Sequence, residues 1–141
     1  MTANFNAKSA KLRKEREEIE AIAADIVDSS IKVHRALGPG LLEGVYENCV
    51  SIELRSRGHK VDQQMTLPVQ YEGHKIEQGF RIDILVDDAV VIEVKAVEKM
   101  LPVHLAQTMT YLRLGDFNLG LLLNFNVPMM KDGIKRVVNN L

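Results

Sequence analysis

At 141 residues, with 46% hydrophobic and 26% charged side chains, the chain is long enough for one domain with its own core and has an ordinary globular composition. Its 18 basic and 19 acidic residues leave a net charge of −1, which excludes a global attraction to polyanions, so nucleic acid has to be met by a local patch. One cysteine, Cys49, excludes an internal disulfide framework, and no stretch approaches the ~20 apolar residues of a membrane span. A reducing, cytoplasmic setting without a membrane partner is the expectation.

Residues 1 to 9 read as a frayed arm, and the mixed charges of Lys11 to Glu20 suit a solvated helix start. A charged segment over 1–16 therefore precedes a single domain over 17–141. From Ile19, the positions Ile22, Ala23, Ile26, Ser30, Val33 and Leu37 follow helical spacing, and Gly38-Pro39-Gly40 stops that helix. A second helix is predicted from Leu41 to Gly58, with Leu42, Val45, Tyr46, Cys49, Val50 and Leu54 inward. Val61 to Tyr71 is extended, and Pro68 in it implies an edge or a bulge. Glu72-Gly73 turns the chain, His74 to Gln78 returns as a short strand, and Gly79 marks a further bulge.

The next segment, Arg81 to Lys95, carries the most chemistry. With Asp87-Asp88-Ala89 as a three-residue turn, Val86 opposes Val90, Ile84 opposes Ile92 and Ile82 opposes Val94. One face of the hairpin is then wholly aliphatic, which fixes the register. The other face carries Leu85 with Val91, Asp83 with Glu93, and Arg81 with Lys95. Like charges opposite each other in a sheet repel, and a hard divalent cation such as Mg²⁺ would remove the repulsion. Lys95 lies two residues beyond Glu93 on the same face. A solvated face of alternating charges is the plainer interpretation of the same string.

Beyond the hairpin, Leu101-Pro102 opens a third helix ending at Gly115, with Leu105, Met109 and Leu112 toward the core. Asn118 to Phe125 reads as a buried strand, while Ile134 to Val138 fits strand or helix. The order α-α-β-β-β-β-α-β is that of an α/β (α+β) domain with a mixed central sheet flanked by helices.

Other residues fit both structural and chemical roles. Glu43, in the first turn of its helix, either complements the helix dipole or supplies a third acid to the cation. Glu47, one turn later, could replace it or simply be solvated. His104, Gln107 and Tyr111 share one helix face, which is either the solvent side or the border of the acidic site. The four histidines show no zinc-ligand spacing, and no serine or cysteine sits in a nucleophile elbow. The Gly38-Pro39-Gly40 turn lacks the Lys-Ser/Thr ending of a phosphate loop and serves as a helix connector.

Gly40-x-x-Glu43-x-x-Tyr46, together with Asp83, Glu93-Val94-Lys95 and Gln107-x-x-x-Tyr111, resembles the GxxExxY family of the PD-(D/E)XK nuclease-like superfamily. The similarity runs from about Ala23 to Val138 and includes Val33 to Gly40 and Asn124 to Pro128. The resemblance implies a restriction-endonuclease-like core, with Asp83 and Glu93 binding Mg²⁺ or Mn²⁺ and Glu43 as a helix-borne acid at the metal. Lys95 would orient water or stabilise charge, and Gln107 would be a further catalytic residue. Tyr46, His104 and Tyr111 would support the substrate. The implied activity is hydrolysis of phosphodiester bonds in DNA or RNA, with a homodimer or protein partner supplying added surface. A catalytically inactive binding or assembly module and a small phosphoester or nucleotide hydrolase are the alternatives.

Overall fold

The computed structural model describes the backbone of residues 2–141 and the side chains of residues 9–141. Helix α1 spans Thr2–Leu37 and α2 spans Glu43–Ser56; three strands follow, β1 Val61–Tyr71, β2 His74–Val86 and β3 Val90–Lys95. Helix α3, Pro102–Gly115, crosses to β4, Leu119–Asn124, and a 3₁₀ turn over Met130–Gly133 leads into β5, Ile134–Val138. The five strands lie in chain order, with β3 and β4 parallel and every other neighbouring pair antiparallel. Helices α1 and α2 cover one face of the sheet and α3 the other, giving two apolar layers.

Several expectations are corrected. The predicted frayed arm falls partly on side chains outside the described residues, but the backbone is already helical from Thr2. The segments His74 to Gln78 and Arg81 to Val86 are one continuous strand. The expected irregularity at Pro68 and Gly79 is present: pairing jumps from Leu67–Phe80 to Val69–Ile76, so Pro68 of the edge strand stands opposite Glu77, Gln78 and Gly79, and the extra residues are on β2. Gly79 is needed there, because a Cβ would stand 2.3 Å from Cγ2 of Val69. Leu42 and Val45 face outward, at 80% and 39% exposure, and Glu47 and Ser51 are buried instead. On α3 the inner face is Thr108 and Leu112 rather than Leu105, which is exposed. Gly120 of β4 lets these two approach closely, since a Cβ there would meet Thr108 Cγ2 at 2.9 Å.

The hairpin register holds for Val86–Val90, Leu85–Val91 and Ile84–Ile92, and there the β2–β3 ladder stops. Asp87 and Asp88 form the turn with positive φ of 52° and 55°, a region that aspartate enters more readily than most residues. Ile82 is not on the face of Val94. It packs with Leu85 and Val91 beneath α3, whereas Val94 joins Ile84 and Ile92 beneath α1 and α2. The alternation of β2 therefore breaks at Asp83. On β1 the break is at Gln64, since Val61 belongs to the α1–α2 layer and Met65 to the α3 layer. Gln64 has φ of 55°, so the hairpin arm turns over at the Gln64–Asp83 step while its register stays constant.

At the opposite end of the hairpin, His59 ties three elements together. Its Nδ1 lies 2.5 Å from Oδ2 of Asp87 in the β2–β3 turn, and its Nε2 lies 2.6 Å from Oδ2 of Asp25 on α1. Arg57, also against Asp25 and Asp28, and Lys60, against Asp88, complete the cluster. Burial lowers the imidazole pKa, but hydrogen bonds and charges from Asp87 and Asp25 outweigh it and hold the pKa above 6.5. A histidine raised on folding stabilises fully below its unfolded value and loses that stabilisation as pH climbs through the folded one. The melting-temperature advantage of wild type over His59→Gln is therefore expected to be full at pH 6 and to shrink above pH 6.5. A constant difference from pH 6 to 9 would mean that the cluster holds a neutral imidazole.

Candidate active site

The cleft opens where β2 and β3 part. Beyond Ile84–Ile92 the two strands no longer pair, while β1 and β2 continue together to Tyr71–His74. Asp83 compensates for part of the missing ladder, its Oδ2 accepting a 2.8 Å hydrogen bond from the Val94 amide. The resulting cavity, about 390 Å³, is lined by Asp83, Glu93 and Lys95 at the splay and by Gln107 and Tyr111 of α3. Thr66, Gln78, Phe80 and Arg81 of the hairpin arm form the remaining wall.

Glu93 is the electrostatic centre of this cleft. It is only 4% exposed, and its Oε1 is buried without a hydrogen-bond partner among the described residues. Burial first, and the charge of Asp83 second, push its carboxyl up to about 9, with Lys95 pulling modestly the other way. A buried carboxylate with an orphaned oxygen is costly unless a cation or proton completes it. Two hard oxygen donors suit Mg²⁺ or Mn²⁺ better than a thiophilic metal, so the residues fit the implied ion. Tyr111 stacks on Phe80 with ring centres 4.9 Å apart. Its phenol pKa is raised by burial and by the charges of Glu93 and Asp83, so at neutral pH it is a hydrogen-bond donor. Neither Lys95 nor Arg81 forms an ion pair among the described residues. Both cations are available to an anionic ligand.

Three residues expected at the site stand elsewhere. Glu43 does not line the cleft; its Oε1 accepts a 3.3 Å hydrogen bond from the Ala96 amide just past β3. Among the described residues, no three His, Cys, Asp or Glu side chains gather in a metal-sized cluster, and Glu43 does not gather with Asp83 and Glu93. Tyr46 is fully buried and braces the α1–α2 connection, its hydroxyl donating to Gly38 O at 2.6 Å and accepting from Leu41 N at 3.0 Å. Its ring stacks on Phe125 at 4.5 Å and 7°, an arrangement contributing about 0.5–1.5 kcal/mol beyond burial. His104 caps α3, its Nδ1 accepting from the Leu101 amide at 3.0 Å.

The acid that α2 does bring near Asp83 is Glu47, which the solvated interpretation had placed in water. Glu47 is 8% exposed, with Gln63 Nε2 3.0 Å from Oε2 and Gln64 Nε2 2.5 Å from Oε1. Glu43 also stands at helical spacing from Tyr46 and Val50, so spacing alone does not single out Glu47 as the buried acid. The wall residues Thr66, Gln78 and Phe80 had no signal in the sequence, because only the folded arm brings them to the cleft.

A family model described as the PD-(D/E)XK nuclease superfamily matches residues 20–137, a span that includes every residue lining the cleft. No curated protein and no solved structure matches the chain. No described helix is long and apolar enough to cross a membrane.

Proposed function

The chain belongs to the PD-(D/E)XK nuclease superfamily, and from that premise we propose that it is a divalent-metal-dependent nuclease hydrolysing phosphodiester bonds of nucleic acid. The observation that carries this reading is the acid pair of half-buried Asp83 and buried Glu93, whose Oε1 has no partner among the described residues, beside Lys95, which forms no ion pair among them. Asp83 and Glu93 would hold Mg²⁺ or Mn²⁺, which when bound would supply activation of water and neutralisation of charge on the phosphate. Within the superfamily, the Gly40-x-x-Glu43-x-x-Tyr46 string supports the GxxExxY branch.

The remaining roles belong to the chain's own side chains. Lys95, two residues past Glu93 on the same strand face, places a point charge where oxyanion charge develops. Gln107 and the Tyr111 phenol donate hydrogen bonds to the substrate from α3, and Arg81 meets a phosphate from the hairpin arm. The near-neutral chain concentrates its polyanion contacts at this cleft, and a second copy or a partner protein adds surface.

Purified protein incubated with Mn²⁺ or Mg²⁺ is expected to cleave single- or double-stranded DNA or RNA, and Asp83→Asn to lose that cleavage while remaining folded. Metal binding without turnover of any substrate would instead identify a binding module. Turnover of nucleotides but not polymers would identify a small phosphoester hydrolase.

A further inference from the structure

Gln64 occupies a conformation that glutamine rarely adopts, with φ of 55° in the middle of a strand. Its side-chain amide, held by that backbone, points at two carboxylates from different elements. Nε2 lies 2.5 Å from Oε1 of Glu47 on α2 and 3.4 Å from Oδ1 of Asp83 on β2. Asp83 is thus held at both oxygens, by Gln64 at Oδ1 and by the Val94 amide at Oδ2. Glu47 in turn is anchored by Gln63 as well as Gln64, and forms no ion pair among the described residues. The backbone outlier, the turnover of both strands and the bridge between two carboxylates coincide at one residue. Left-handed backbone at a non-glycine persists only where its surroundings impose it, and such outliers cluster at functional sites.

We propose that Gln64 is a positioning residue: its amide, anchored on Glu47, fixes the rotamer of Asp83 that faces Glu93. The proposal rests on the reading of the cleft as a cation-dependent nuclease centre. Outer partners of this kind orient the carboxylates that bind a metal, and losing one weakens metal affinity by about 10–100-fold. A purely architectural Gln64 would serve only to turn the hairpin arm, and glycine would serve that role at least as well, since it enters the left-handed region freely.

Gln64→Gly separates the two roles. Calorimetric titration of the folded variant with Mn²⁺ is expected to show affinity about tenfold or more below wild type. Hydrogen exchange at the Val94 amide, followed by NMR without metal, is expected to be faster, because Asp83 no longer stays against it. Wild-type exchange at Val94, or wild-type Mn²⁺ affinity, in folded Gln64→Gly would overturn the proposal. Failure of the nuclease reading looks different: wild type would bind Mn²⁺ without cleaving, or would bind none. In the first case both readouts still apply, and in the second the Val94 exchange rate alone decides. Gln64→Asn, tolerant of left-handed backbone but one methylene too short to span both carboxylates, provides the same comparison should the glycine variant unfold.

Discussion

Lys95→Ala is expected to lower kcat for nucleic-acid cleavage by about 10²–10³-fold, the range for removing one preorganised group that stabilises charge developing in a transition state. KM should change far less, because the interaction strengthens as negative charge accumulates rather than when substrate first binds. The fold should survive, since Lys95 is only half buried and its ammonium forms no ion pair among the described residues that truncation would orphan. Lys95→Arg should recover little, as a planar fork does not reproduce a compact point charge. Steady-state kinetics beside thermal melts would check this. A variant whose KM rises with kcat unchanged would make Lys95 a ground-state contact only.

The second large effect is on stability, and its sign runs against intuition. In the metal-free protein, Glu93→Gln is expected to raise the melting temperature at pH 7, although it removes a charge from the centre of the cleft. Burial and Asp83 hold the Glu93 carboxyl at about 9, against 4.5 for the free group. A carboxyl raised on folding keeps a proton that the unfolded chain gives up, so stability falls as pH rises from 4.5 toward 9. By pH 7 the loss corresponds to about 3 kcal/mol. Removing the ionisation should raise the melting temperature by roughly 5–10 °C at that pH and flatten its dependence on pH. Mn²⁺ should reverse the ranking: wild type gains stability by binding it, with release of a proton, whereas the glutamine variant gains little. Melting curves from pH 5 to 9, with and without Mn²⁺, would show both effects. Parallel curves for the two proteins would place the titrating group elsewhere.

The hairpin was legible because strand alternation is local: Val86, Ile84 and Ile92 on one side, and Leu85 and Val91 on the other, leave a single register. Past Ile84 the alternation no longer predicts the face, since the break depends on Gln64 of another strand adopting positive φ. Ile82 was misplaced for that reason. Glu93 and Lys95 on one face of β3 could be read from two-residue periodicity, and Gln107 and Tyr111 from helical periodicity, whereas Asp83 sits at the break itself and joins them only in the folded chain. Their meeting in one cleft required the β3–α3–β4 crossover to set α3 over that face.

The helix α2 acids show the opposite limit. Glu43 and Glu47 are both carboxylates within one turn, and periodicity alone did not separate the one reaching Ala96 from the one buried beneath Gln63 and Gln64. The distinction comes from β1, whose glutamines enter only in the folded chain. Similarly, the Thr108–Leu112 face of α3 depends on the absence of a side chain at Gly120, a feature of the strand opposite rather than of the helix itself.

Anomalous diffraction from crystals soaked in Mn²⁺ tests most directly whether Asp83 and Glu93 are a cation site. The expected result is a peak between the two carboxylates, about 2.0–2.6 Å from at least one oxygen of each, within the range of divalent ions on oxygen ligands. It should include Oε1 of Glu93, the oxygen left without a partner. A crystal with Mn²⁺ bound elsewhere and this pair empty, with Glu93 still buried, would contradict it.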